Sequence, residues 1–143
     1  MIEYVCGFAF DRTRMEVALI EKTKPEWQRG LWNGIGGHVE PGEYPSEAMA
    51  REFKEETGWD VPPSRWLPIA VLRGAGYQVT FFRAVDVRII HCRTTTDERV
   101  QCWAVDALPD KMVSNLKWLI PFALEAEKYG RLTIIEQPPA DKA

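Results

Sequence analysis

The chain has 143 residues, 45% of them apolar and 27% charged, with a net charge of −3. That is the size and balance of one soluble globular domain with a real core, and its mild acidity argues against a nucleic-acid polymer as partner while admitting a nucleotide carried with its cation. Cys6, Cys92 and Cys102 show no CxxC spacing, so they read as buried thiols of a reducing compartment and not as a disulfide framework or a zinc site. No apolar run is long enough to span a bilayer, and the N-terminal stretch, with Glu3 early, is unlike a secretory signal. A cytoplasmic protein with no membrane partner is expected.

Ile2 to Phe10 is apolar and rich in β-favouring residues, Asp11 to Arg14 is a polar turn, and Met15 to Ile20 resumes the apolar pattern, which predicts a hairpin. Glu21 to Gly30, containing Pro25 and Gly30, is loop chemistry. A short run from Leu31 to Ile35 leads to Gly36-Gly37, read as a turn, and His38 to Glu40 forms a brief strand before the Pro41-Gly42 turn. A helix follows, with Ser46 as N-cap, Ala48, Met49, Phe53 and Thr57 as its inward stripe and Gly58 as its stop. Beyond Pro62-Pro63, strands are predicted at Trp66 to Leu72, Tyr77 to Ile90 and Arg99 to Val105, separated by Gly74 to Gly76 and by the polar segment HCRTTTDE. Asn115 to Tyr129 reads as a second amphipathic helix that packs through Leu116, Leu119, Ile120, Phe122, Ala123 and Ala126. One α/β domain over residues 1–136 is expected, with a mobile tail at 137–143.

The first helix carries the chemistry. Glu52, Glu55 and Glu56 are three and four residues apart, so their carboxylates project from one face. Like charges that close repel, and a hard divalent cation, which prefers carboxylate oxygens, relieves the repulsion. An acidic helix face taken alone is usually solvated, here with Arg51 pairing to Glu47 and Glu55. The glycine pair and Glu43 at fixed offsets before the helix reverse that reading, because glycine lets backbone approach a metal closely. Asn33 offers donors and an acceptor and can read a purine edge or form a turn before Gly34. Trp27 and Trp32 offer aromatic faces for stacking on a base, whereas Trp66, Trp103 and Trp118 read as packing residues. His38 and His91 read as structural or exposed.

Residues Gly37 to Trp59 resemble the signature of the Nudix hydrolase (MutT-like) family, G-x5-E-x7-R-E-U-x-E-E-x-G-U with U bulky and apolar. Gly37, Glu43, Arg51, Glu52, Phe53, Glu55, Glu56 and Gly58 stand at the required spacing, and Trp59 fills a place that is usually aliphatic. The resemblance implies an α/β/α sandwich with a mixed β-sheet between helices. It also implies hydrolysis of the diphosphate bond in a nucleoside diphosphate linked to another moiety, with Mg²⁺ as cofactor and Mn²⁺ as its substitute. Glu52, Glu55 and Glu56 would be metal ligands together with the Gly36 carbonyl, and Arg51, Glu43 and Gly37 would orient that shell. Asp97 to Trp103 (DERVQCW) is similar to the corresponding loop and strand of the oxidised-purine triphosphatases of the family, which implies Glu98 as a further ligand or base. Glu52, Glu56 and Glu98 all stay open as the group that takes the proton from water.

Trp32-Asn33-Gly34-Ile35-Gly36-Gly37 is similar to the W-N-G-x-G-G stretch of the purine nucleoside triphosphate sanitising enzymes, which implies base recognition by Asn33. Asn115 falls where those enzymes carry acidic base-reading residues, so it is a substrate-binding candidate, and strict oxidised-guanine preference is not implied. A (deoxy)nucleoside triphosphate cleaved to monophosphate and pyrophosphate is the first expectation. A dinucleoside polyphosphate or nucleotide-sugar hydrolase, or a non-catalytic nucleotide-sensing module, is the alternative. The expected partner is a small nucleotide, and a homodimer is left open.

Overall fold

The N-terminal apolar run becomes the middle of a mixed sheet. In the computed structural model, which describes residues 1–136, β1 (Ile2–Phe10) pairs antiparallel with β2 (Glu16–Glu21) and β4 (Ile35–His38) and parallel with β6 (Tyr77–Ala84). Adding β3 (Trp32–Asn33), β5 (Leu67–Gly74) and β8 (Leu132–Ile135) gives the order β3-β2-β1-β6-β5-β8, and β7 (Val100–Ala104) pairs with β2. The tail predicted to be mobile, 137–143, lies outside the described residues. Among the described residues, no helix is long and apolar enough to cross a membrane.

Two helices cover opposite faces of this sheet. Val5 and Ala9 of β1 join Met49 and Phe53 of α1 (Pro45–Thr57), whereas Cys6, Phe8 and Phe10 join Leu116, Leu119 and Ile120 of α2 (Leu116–Leu124). Alternate side chains of one strand thus enter two cores, and the fold is an α/β/α sandwich. A strand buried on both faces reads as a continuous apolar run, which is why β1 shows no polar alternation. Phe53 is fully buried and meets Trp66 edge-on at 5.1 Å, and burying one such ring contributes about 1.5–3 kcal/mol. This packing sets which side of α1 faces the sheet and leaves its carboxylates along the rim.

Several boundaries differ from the predicted ones. Gly36 and Gly37 lie inside β4, opposite Cys6 and Val5, and do not form a turn. The first helix starts at Pro45, ahead of the expected cap Ser46, since proline at the first helical position forgoes an N–H that would be unpaired there. Glu47 closes that end by accepting the Tyr44 N–H at 2.8 Å. The strand expected to reach Ile90 stops at Ala84, and the chain turns through Asp86 (φ 61°) into a 3-10 turn at Ile89–His91. The second helix runs past Pro121 but ends at Leu124, short of Tyr129, where the Glu125 N–H turns to the Phe122 carbonyl at 3.2 Å and the chain re-forms as a 3-10 turn at Ala126–Lys128. Strand β8, unanticipated, adds in parallel to β5 with Ala70 opposite Leu132.

One ion-pair group joins α2 to the sheet. Arg83 on β6 is 8% exposed, donates to the Ala123 carbonyl at 3.0 Å and pairs with Glu127, which also accepts from Arg14 at 2.7 Å. Arg14 first, and Arg83 with it, hold the Glu127 carboxyl down at about 2, against an ordinary value of 4.5. A carboxylate with a lowered folded pKa contributes stability above its unfolded pKa and loses it as pH falls through the folded value. Glu127→Gln is therefore expected to lower Tm at pH 7 by about 3 °C, or about 1 kcal/mol for a half-exposed pair. The gap to the wild type should close between pH 4.5 and 2, and melting curves across that range check it.

Candidate functional site

The site grows from one contact between β4 and α1. Gly37 sits so close to the helix that a Cβ built on it would stand 2.5 Å from the Glu52 carboxylate. On the preceding residue, a Cβ would overlap the backbone carbonyl of Val5. Both glycines are needed for closeness, the first to its paired strand and the second to the acidic side chain.

Arg51 organises the carboxylates. Its guanidinium grips Glu43 bidentately, at 2.7 and 3.0 Å, donates to Glu52 at 2.9 Å and to the His38 carbonyl at 2.9 Å, and reaches Glu55 at 3.4 Å. The fork geometry of arginine makes this arrangement possible, since its five N–H groups lie in one plane. Glu43 also accepts the Glu40 N–H at 2.9 Å, so it ties the loop before α1 to the helix. Pairing with Arg51 holds the Glu43 carboxyl below its ordinary range.

Glu52 and Glu56 titrate the other way. Burial raises Glu52 despite its bond to Arg51. Burial likewise pushes Glu56 up to about 8, against the pull of the Lys22 ammonium and with the help of the neighbouring Glu52 and Glu98 charges. The Oε2 of Glu56 is buried with no hydrogen-bond partner among the described residues. A buried carboxylate oxygen without a protein donor is the kind of group that an ion or a water satisfies. Glu55, by contrast, is 57% exposed.

Glu98 arrives from the far end of the chain and is 6% exposed. It accepts from Lys22 Nζ at 3.0 Å, from the Thr23 N–H at 2.6 Å and from the Thr23 hydroxyl at 3.1 Å. Burial would raise its carboxyl, but the Thr23 amide and the Lys22 ammonium outweigh burial and hold it below the ordinary value. Its loop docks on the end of α1, where the Thr95 hydroxyl donates to the Glu55 carbonyl at 2.5 Å and the Arg93 N–H to the Thr57 carbonyl at 3.0 Å. Those bonds bring Glu98 into electrostatic range of Glu56. Trp59, in the place usually aliphatic, stacks on His91 at 4.6 Å beneath the same loop.

The base-reading candidates fall into different environments. Asn33 on β3 lies half-buried beside Cys6 and Gln28. Trp32, expected as a stacking face, is 4% exposed, with Trp103 edge-on at 5.2 Å and the Arg99 guanidinium over its ring at 5.2 Å, so it packs in the core. Trp27 is 68% exposed on the 3-10 turn Glu26–Gln28. Asn115 precedes α2, and its Oδ1 is buried without a partner among the described residues. The segment before it is tied to β3 through Trp32 N–H to Lys111 O and Val113 N–H to Trp32 O, each at 2.9 Å.

No group of three or more His, Cys, Asp or Glu side chains stands ready-made around one point among the described residues, because Arg51 pairs with Glu43, Glu52 and Glu55. The donor set nevertheless suits a hard divalent cation, being all carboxylate oxygen with one buried oxygen unpartnered and backbone within reach. Sequence reasoning missed Lys22, Thr23 and Gln28. Lys22 carried a faint signal, as a cation directly after an apolar strand, whereas Gln28 carried none.

Comparison with known proteins places these residues in context. A family model described as a NUDIX domain matches residues 3–128. The 8-oxo-dGDP phosphatase NUDT18 of Mus musculus is 40% identical over 74 residues, which is 52% of this chain and 22% of that protein. The NAD-capped RNA hydrolase NudC of Stutzerimonas stutzeri is 34% identical over 55 residues, 38% of this chain and 20% of that protein. The matched stretches thus take in only about a fifth of these relatives. Among solved structures, a MutT protein from Bacillus halodurans superposes with a TM-score of 0.70 at 20% identity, covering 96% of this chain and 92% of that one.

Proposed function

Because the chain belongs to the Nudix family, whose members generally use divalent cations, we propose that it is a hydrolase of the diphosphate linkage in nucleotides, with a (deoxy)nucleoside triphosphate giving monophosphate and pyrophosphate as its first substrate class. The observation that supports this reading best is the unpartnered, buried Oε2 of Glu56 inside a carboxylate cluster braced by Arg51. Glu52, Glu55, Glu56, Glu98 and the Gly36 carbonyl would hold Mg²⁺, with Mn²⁺ as substitute. Bound there, the cation would neutralise phosphate charge and lower the pKa of a water.

The chain's own groups divide the remaining work. Arg51 and Glu43 keep Glu52 turned toward Gly37, so the acidic face is set before substrate arrives. Glu56 offers a buried oxygen that no donor occupies, which makes it the natural receiver of a proton from the attacking water. Glu98, already accepting three hydrogen bonds, is a poor proton acceptor and is assigned to the metal shell, with Lys22 as its charge partner. Asn33 would meet the base, with Trp27 and Asn115 as further substrate-binding candidates.

A panel of deoxy, ribo and oxidised nucleoside triphosphates, dinucleoside polyphosphates and nucleotide sugars, assayed with Mg²⁺, tests the reading. Turnover of triphosphates to monophosphate and pyrophosphate is expected, and tight binding with no turnover on any member sinks it in favour of a nucleotide sensor. On the preferred substrate, Asn33→Ala is expected to cut discrimination among bases about tenfold, roughly one hydrogen bond, while leaving the Mg²⁺ requirement unchanged. Unaltered selectivity would reduce Asn33 to a structural residue.

A further inference from the structure

The hydrogen bonds around Asn33 fix which end of its carboxamide can meet a ligand. The Gly34 N–H lies 2.8 Å from one terminal atom, and since a backbone amide only donates, that atom is the oxygen. The Cys6 thiol donates to the same oxygen at 3.7 Å. Both lone pairs of Oδ1 are therefore engaged inside the chain. On the nitrogen, one hydrogen goes to Gln28 Oε1 at 3.0 Å, and the other has no partner among the described residues. Of four hydrogen-bonding positions, a single N–H is left for a ligand.

Gln28 is well placed for this job. It ends the 3-10 turn Glu26–Gln28, with its N–H on the Pro25 carbonyl at 2.9 Å and its carbonyl taking the Leu31 N–H at 2.8 Å. The turn is tied back to the end of β2 by Gly30 N–H to Lys22 O at 2.8 Å and Lys22 N–H to Leu31 O at 2.9 Å. Its backbone therefore holds the side-chain acceptor at a set place beside Asn33.

We propose that Gln28 is a positioning residue that occupies one N–H of an Asn33 carboxamide whose oxygen is already held, leaving a single donor, so that the protein selects nucleobases by a hydrogen-bond acceptor, a ring nitrogen or carbonyl oxygen, presented to Asn33. This inference rests on the nucleotide reading of the site given above. The Asn115 Oδ1, buried and unpartnered, supplies the complementary acceptor for a base N–H. Without Gln28, the Gly34 N–H and the Cys6 thiol still hold the oxygen end, but two N–H groups of Asn33 are left for a ligand in place of one, and the base no longer meets a single donor.

The test uses Gln28→Leu, which removes the acceptor, and Gln28→Glu, which keeps one. For each, kcat and KM are measured on adenine, guanine, cytosine and uracil triphosphates, alongside Asn33→Ala and the double variant, with melting curves to confirm folding. In Gln28→Leu the ratio of kcat/KM between the best and worst base is expected to fall about tenfold, carried by KM more than by kcat. Gln28→Glu is expected to keep the wild-type ratio, and the double variant to discriminate no worse than Asn33→Ala alone, since a residue acting through Asn33 has nothing left to act on. A Gln28→Leu protein with wild-type selectivity, or losses that add in the double variant, overturns the proposal and leaves the nucleotide reading standing. If wild-type protein hydrolyses none of the triphosphates, the nucleotide reading falls and the inference falls with it.

Discussion

Glu56→Gln is expected to lower turnover by at least about a thousandfold while leaving the metal-free protein as stable as the wild type or more so. The substitution keeps the shape of the side chain but removes the charge from the one cluster oxygen that is buried and unpartnered. On the proposed assignment a cation would lose a ligand and the attacking water its proton acceptor. Stability moves the other way because the folded state raises the Glu56 pKa from 4.5 to about 8. For an acid whose pKa is raised by folding, the charged form costs stability. That cost is absent below pH 4.5, grows as pH rises and levels off above about 8. At 1.36 kcal/mol per pH unit the ceiling is about 5 kcal/mol. Melting curves in chelator between pH 4 and 9 should show the variant pulling ahead of the wild type as pH rises. A variant that still turns over, or that melts lower throughout, removes Glu56 from the centre of the site.

The largest structural effect is expected from Gly36→Ala. The new methyl would overlap the carbonyl oxygen of Val5, the neighbour of its ladder partner Cys6 in the β1–β4 pairing. Backbone cannot yield as a side-chain tip can, so the two strands must separate, at a cost of about 4 kcal/mol or more. In a domain with about 5–15 kcal/mol of total stability, that leaves little margin, and Tm is expected to fall by about 10 °C or more. Gly37→Ala makes the informative contrast. There the methyl meets only the end of the Glu52 side chain, which can swing away. Folding should survive within about 1 kcal/mol while Mn²⁺ affinity, measured by calorimetry, falls about 10- to 100-fold. If both variants fold and bind alike, closeness is not what these glycines provide.

These two residues also mark where sequence reading stops. The carboxylates of α1 were legible because helical spacing is local, and three charges at positions 52, 55 and 56 share a face whatever surrounds them. From sequence the glycine pair reads as a turn that also lets backbone approach a metal. Here they answer to crowding from Val5 and Glu52, a contact set by strand pairing that nothing nearby in the chain reveals. Strand β8 was missed for a related reason: it is held by pairing to β5 across 62 residues of chain, Ala70 opposite Leu132. The roles of Lys22 and Gln28 depend on partners brought close by the fold, Glu98 in one case and the orientation of an amide in the other. The second helix reads too long from sequence because apolar spacing continues beyond Leu124 while the backbone tightens into a 3-10 turn.

The stretch between β2 and β3 holds Glu98 through Lys22 and Thr23 at one end and Asn33 through Gln28 at the other. If Glu98 and Asn33 act as proposed, a change in this loop would alter the handling of phosphate and of the base together. Residues 22–31 are then best exchanged as a block and not one at a time. Grafting the block between scaffolds is the shortest route to reprogramming one.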